Sequence, residues 1–192
     1  MLKRMLSRDA YLALTQQHHA AALAANIERD RARYEEWLPW ASKVRGDSSA
    51  RAFIERFLAK LAAADGVLLG IWSDGNMVGG ILLRSIDWSA RRSEVGFWIG
   101  RDHQGRGLVT RAAAVLMDHA FDELGLSTMA LQAAVANDAS RAVAERLGFA
   151  QEGIARRSYA YPTGLLDHAL YRLLDDEWRS GHARTQYLSA PT

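Results

Sequence analysis

The stretch Gly100-Arg101-Asp102-His103-Gln104-Gly105-Arg106-Gly107-Leu108-Val109-Thr110 has the residue types and spacing that could do chemistry. An apolar run, Val95 to Ile99, leads into it, and a helical pattern leaves it. A glycine-rich turn at a helix N-terminus exposes backbone N–H groups that have no partner inside the helix. It also presents the positive end of the helix dipole, so it suits a phosphate or a pyrophosphate. Gly105 and Gly107 let the main chain come close to such a ligand, and Arg106 adds a cation. The turn is not a Walker loop, which needs GxxxxGK[ST]. Nor is it a dinucleotide fingerprint, because Thr110 stands where the third glycine belongs. A plain turn between strand and helix would use the same glycines.

Other chemistries are poorly served. The chain has no cysteine, which removes disulfides, thiolate nucleophiles and cysteine metal sites. Its six histidines show no HExxH or other paired-ligand spacing, so no metal is expected.

Several blocks in order along the chain carry a resemblance. Gln104-Gly105-Arg106-Gly107-Leu108-Val109 is similar to the Q/R-x-x-G-x-G/A motif of the GNAT N-acetyltransferases. Trp37-Leu38-Pro39-Trp40 resembles the WLPW segment of the RimJ/RimL-like branch. Glu94-Val95-Gly96-Phe97-Trp98-Ile99 resembles the strand before the loop. Asn137 and Ser140, followed by Glu145-Arg146-Leu147-Gly148-Phe149, resemble the N-x-x-S…E-K-x-G-F block. Asp167-His168, Tyr171 and Glu177-Trp178 resemble the closing strand and its end. The resemblance spans roughly residues 10 to 179. There are two departures. Val109 replaces the motif's last Gly or Ala, and Ala144 stands where many relatives place a tyrosine near the thiol.

The resemblance implies acetyl-CoA as cosubstrate and direct attack of an amine on its thioester. The cofactor would be held by Phe97, Trp98 and Ile99, by Gln104, Gly105, Arg106, Gly107, Leu108, Val109 and Thr110, and by Asn137 and Ser140. A main-chain N–H near Phe97 to Ile99 would stabilise the oxyanion. Ser140 would hydrogen-bond the sulfur. Glu94 and Tyr159 are the candidates for taking the amine's proton, and with Trp37 and Trp40 they would line the acceptor site. Each has an alternative use. Glu94 could be a surface carboxylate, Asn137 a helix cap and the two tryptophans core plugs. Asp167 and His168 read as structural. The implied acceptor is a protein N-terminal amine. A small amine such as a polyamine, an amino acid or an aminoglycoside stays open, as does a non-catalytic acyl-CoA-binding module.

These residues need elements to position them. The fold class expected is mixed α/β, a GNAT-like acyltransferase fold with a central, mostly antiparallel twisted sheet of about seven strands flanked by helices. The strands read as Ala10–Leu14, Val67–Trp72, Met77–Leu83, Glu94–Ile99, Thr128–Val135, Phe149–Tyr161 and Leu165–Leu174. Ser73-Asp74-Gly75-Asn76 signals a hairpin turn. Helices are expected from a cap at Thr15 to about Ala25, over Asp30 to Trp37 and from Ser48 or Ser49 onward. Two more follow, over Gly107 to Leu124 and Asp138 to Leu147. One domain is expected over residues 1–179, with a polar tail over 180–192.

With 192 residues, 49% of them hydrophobic and 24% charged, the chain can bury a core without staples. The net charge is +2, with acids and bases interleaved and no basic run, so no nucleic-acid partner is expected. No apolar run approaches the ~20 residues that cross a bilayer, so no membrane partner is expected and the cytoplasm is the expected location. A homodimer stays open.

Overall fold

A computed structural model describes residues 3–188. Eight strands form one sheet: β1 (Lys3–Met5), β2 (Ala10–Leu14), β3 (Val67–Ser73), β4 (Asn76–Asp87), β5 (Arg92–Ile99), β6 (Thr128–Ala134), β7 (Ala150–Tyr161) and β8 (Gly164–Leu174). Their order is β1-β2-β3-β4-β5-β6-β8-β7. Every neighbouring pair is antiparallel except β5 with β6. The seven strands read from the pattern are all present. β1 is additional, a three-residue edge strand with every residue exposed, so it has no apolar alternation to detect. The β3–β4 turn holds Asp74 at φ 49° and Gly75 at φ 77°, the left-handed pair that a tight hairpin requires.

Seven helices follow the same logic, with shifted ends. α1 (Ala20–Arg29) begins after a 3₁₀ turn at Gln17–His19. Thr15 does not cap it. Its N–H donates to Leu68 O at 3.0 Å, so it still belongs to the β2–β3 ladder, and His19 Nδ1 accepts from Gln16 N–H instead. α2 (Arg31–Trp37) stops at Leu38, which takes an extended ψ of 86° ahead of Pro39. α3 (Gly46–Ala62) starts earlier than Ser48 or Ser49. Ser49 lies in its first turn and reaches back to accept from Arg45 N–H at 2.6 Å.

α4 (Leu108–Asp118) runs into a wider π-turn at His119–Glu123, where Leu124 N–H bonds the His119 carbonyl. α5 (Asp138–Arg146) ends before Gly148, at φ 86°. The chain past residue 179 is not simply a polar tail. α6 (Asp175–Ser180) is followed by α7 (His182–Leu188), whose Ala183 is buried while Tyr187 and Leu188 pack on the core. Arg184 of α7 bridges Asp118 at 2.9 Å and also pairs with Asp122, which ties α7 to α4. Two or three apolar contacts in a polar seven-residue segment carry too little periodicity to show in sequence. Residues 189–192 of the expected tail lie outside the described residues.

The sheet separates two apolar clusters. One joins the sheet to α4 and the C-terminal helices, with Leu116, Phe121, Tyr171 and Trp178 at its centre. The other packs α1, α2 and α3 on β3, β4 and the end of β5, through Ile27, Tyr34, Ile54, Leu82 and Trp98. Strands β6, β7 and β8 contribute no residue to that second cluster. Half of that face is therefore left open, and the sheet splits at its border. β5 and β6 pair only from Arg92/Thr128 to Val95/Leu131. Beyond Val95, β5 keeps its pairing with β4, and beyond Leu131, β6 keeps its pairing with β8.

Candidate active site

The split leaves two facing strand edges, residues 96–99 and 132–134, with no ladder partner across the gap among the described residues. Buried backbone polar groups demand partners, so such a gap is a place for a ligand to add hydrogen bonds. A cavity of about 850 Å³ occupies it. One end is lined by residues 103–110 and the opening of α4, the other by residues of β7 and β8, and a side wall by Trp37 to Trp40.

The loop end is built from main chain. Gly105 and Gly107 hold φ of 71° and 70°, the left-handed region where other residues are strained. Gly107 is the N-cap of α4, so the first N–H groups of that helix point out of its end. Leu108, Val109 and Thr110 are buried, and Val109 belongs to the core cluster while also lining the cavity. Gln104, Gly105 and Gly107 to Thr110 line the cavity. Arg106 does not. Its guanidinium turns to Asp9, with which it pairs, and lies 3.4 Å from Ser73 Oγ. An available carboxylate in the β1–β2 turn claims the cation expected to face the phosphates.

Trp98 lines the cavity as well. Its indole faces the second cluster and donates to Asn26 Oδ1 at 3.0 Å, so only its main chain can face the gap. Phe97 and Ile99 point to the other face and pack on the core. Arg33 of α2 donates to the Ile99 carbonyl and thereby satisfies one acceptor at the gap's edge.

Asn137 and Ser140 line the cavity at the start of α5. Asn137 Oδ1 accepts from Ser140 N–H at 3.1 Å, so the asparagine does cap the helix. Ala144, the departure from the motif noted above, is fully buried in the core.

The far end is built from side chains. Glu94 lies between Arg84 Nε at 3.3 Å and Gln132 Nε2 at 3.4 Å. Burial raises its pKa above the usual carboxylate value, and Arg84 works against that rise. Tyr159 lies parallel to the imidazole of His168, centroids 5.2 Å apart, and the Tyr161 hydroxyl is 2.9 Å from His168 Nε2. His168 is buried, and burial, with a smaller effect of Arg84, lowers its pKa, which favours the neutral form of the ring. Asp167 is structural as expected. It accepts from Arg157 N–H at 2.7 Å within an irregular stretch of β7. His168 lines the cavity with Tyr159, Tyr161 and Glu94. Trp40 is wall and core plug together, stacked on Phe53 at 4.6 Å and edge-on to Trp98 at 5.1 Å, and Trp37 lines the same wall.

The cavity is also lined by Arg33, Arg84, Gln132 and Tyr161, which no motif in the sequence singles out, and by His168, which reads from sequence as structural. The signal for His168 was faint but present. It alternates with the core-facing Ala169, Tyr171 and Leu173, so it had to face away from them.

The family profile described as an acetyltransferase (GNAT) domain matches residues 11–150. The chain belongs to the GNAT acetyltransferases. Acetyl-CoA is the cosubstrate of this enzyme. Among relatives, YdaF of Bacillus subtilis (strain 168), named as a candidate ribosomal N-acetyltransferase, is 36% identical over 167 residues, covering 86% of this chain and 91% of its own. A crystal structure of a probable acetyltransferase superposes with a TM-score of 0.87 at 33% identity, covering 93% of this GNAT chain and 99% of its own. The RimL ribosomal L7/L12 α-N-protein acetyltransferase, solved with coenzyme A, has a TM-score of 0.85 at 20% identity, covering 90% and 97%, a likeness of fold.

Proposed function

We propose that this GNAT enzyme acetylates the N-terminal amine of a protein. The observation that carries this reading is the charge of the cavity. Among the residues that line it, Glu94 is the one carboxylate and it already faces Arg84, whereas Arg33, Arg84 and Arg146 are cationic. A polyamine brings further ammonium groups and would need further acids to replace its water. An N-terminal amine brings one. Its ordinary pKa of about 7.7–8.0 also lies well below the value of about 10.4 for a lysine, so a mild base suffices to free it. The open face of β6 and β8 leaves room for a chain to follow the amine, and the names of YdaF and RimL, both tied to ribosomal proteins, point the same way.

In this reading the diphosphate of acetyl-CoA sits on the N–H groups of residues 105–110. The pantetheine arm lies along the split edges, between residues 96–99 and Asn137. Glu94 takes one proton from the arriving ammonium. The neutral amine attacks the thioester carbon, and a main-chain N–H of residues 97–99 holds the oxyanion. Ser140 hydrogen-bonds the departing sulfur, and Tyr159 lines the acceptor end with Trp37 and Trp40. Holding both reactants in one cleft supplies much of the rate.

Thiol release from acetyl-CoA, measured with a panel of peptides bearing free N-termini and with spermidine, tests this. Turnover of peptides, with spermidine slower by about 100-fold or more, is expected from the single paired carboxylate. Spermidine as the better substrate would overturn the assignment of the acceptor.

A further inference from the structure

The acceptor end holds a second proton-handling group that the scheme above does not use, and its role here rests on that scheme. Converting an ammonium to an amide removes two protons from nitrogen. Glu94 can hold one. It is then neutral and flanked by Arg84 and Gln132, so it cannot take the next. The second proton leaves the nitrogen of the tetrahedral adduct.

We infer that Tyr161 and His168 carry that second proton. The two are hydrogen-bonded at 2.9 Å and line the cavity with Glu94. His168 is 4% exposed, with the Tyr159 ring parallel to it at an interplanar angle of 11°. Arg84 from β4 and Tyr159 from β7 act on the pair, and Glu94 from β5 and Gln132 from β6 line the same cavity. Glu94 is the one carboxylate among the lining residues. With its proton on Nδ1, a neutral imidazole offers the Nε2 lone pair to the tyrosine O–H. As the adduct's N–H proton moves to the Tyr161 oxygen, the Tyr161 proton moves to His168 Nε2. The phenol ends as a phenol and the ring as an imidazolium. The C–S bond breaks with its electron pair on sulfur. Of the protons then held by Glu94 and His168, one goes to the thiolate and the other to solvent. Ammonium plus thioester has become amide, thiol and one proton. Nδ1 is buried and has no hydrogen-bond partner among the described residues. The imidazolium is therefore poorly solvated and gives its proton up again.

The test is kcat for a peptide acceptor against pH in the wild type, Tyr161→Phe and His168→Gln, beside the affinity of each for acetyl-CoA. Both variants should bind acetyl-CoA as the wild type does and lose about 100-fold in kcat. On the acid side, log kcat should fall with a slope approaching two in the wild type, because Glu94 and His168 must both be unprotonated, and with a slope of one in the variants. A merely structural pair would lower the profile and leave its slope unchanged, which would overturn the relay. So would variants within about twofold of the wild type in kcat, a change too small for general acid–base catalysis. Tyr161→Phe keeps the ring of a partly exposed residue, so it reports on the hydroxyl even if His168→Gln were to disturb β8. A wild type that binds acetyl-CoA but acetylates no amine would instead sink the scheme on which the relay rests.

Discussion

The two ends of the cavity are made differently. The end at residues 105–110 is backbone, in one continuous segment, with two left-handed glycines and a helix start. The end at Glu94, Tyr159, Tyr161 and His168 is side chain, gathered from β5, β7 and β8 with Arg84 and Gln132 from β4 and β6. A backbone site for a diphosphate needs few residue identities, and those must be adjacent. A side-chain site for an amine needs several identities, and only the strand register brings them together. The first can be kept while the second changes, which is how one fold serves many acceptors.

The sharpest way to break that contrast is at Gly107. A side chain there enters the left-handed region at φ 70°, and its Cβ would lie 3.1 Å from Arg111 Nη1. Asp is among the residues that tolerate such a φ, so Gly107→Asp should fold. It would set a carboxylate where the helix end favours an anion. Calorimetry is expected to show acetyl-CoA binding weakened by about 100-fold or more, since a repelled charge replaces a diphosphate site worth several kcal/mol. Normal binding by a folded Gly107→Asp protein would move the cofactor elsewhere.

The acceptor end should respond more weakly and in a different parameter. Tyr159→Ala removes one ring from the stack on His168, and such a pair is worth about 0.5–1.5 kcal/mol. The expected result is a drop of up to about tenfold in kcat/KM for the peptide, at 1.4 kcal/mol per decade, with acetyl-CoA affinity unchanged. A matching loss of acetyl-CoA affinity would show that the two ends are not separable.

The same contrast explains what the sequence disclosed. The loop was legible because Gly105, Gly107 and the strand before them are neighbours in the chain. The hairpin at Asp74-Gly75 was legible for the same reason. The pairing of Arg106 with Asp9 was not legible, because Asp9 lies far back in the chain and no local pattern announces it. Thr15 looked like a cap, but tertiary pairing with Leu68 kept it in the sheet. His168 and Tyr161 come together because β7 is irregular between Ala155 and Tyr159, which shifts its register against β8. That shift cannot be counted from residue types. α7 escaped notice because its docking depends on Arg184 meeting Asp118 and Asp122.

Amide hydrogen exchange, with and without acetyl-CoA, tests the backbone cradle most directly. The account predicts slowed exchange confined mainly to residues 96–99 and 105–110, where strand edge and helix start receive the cofactor. Binding of acetyl-CoA that leaves those amides exchanging as before would contradict it.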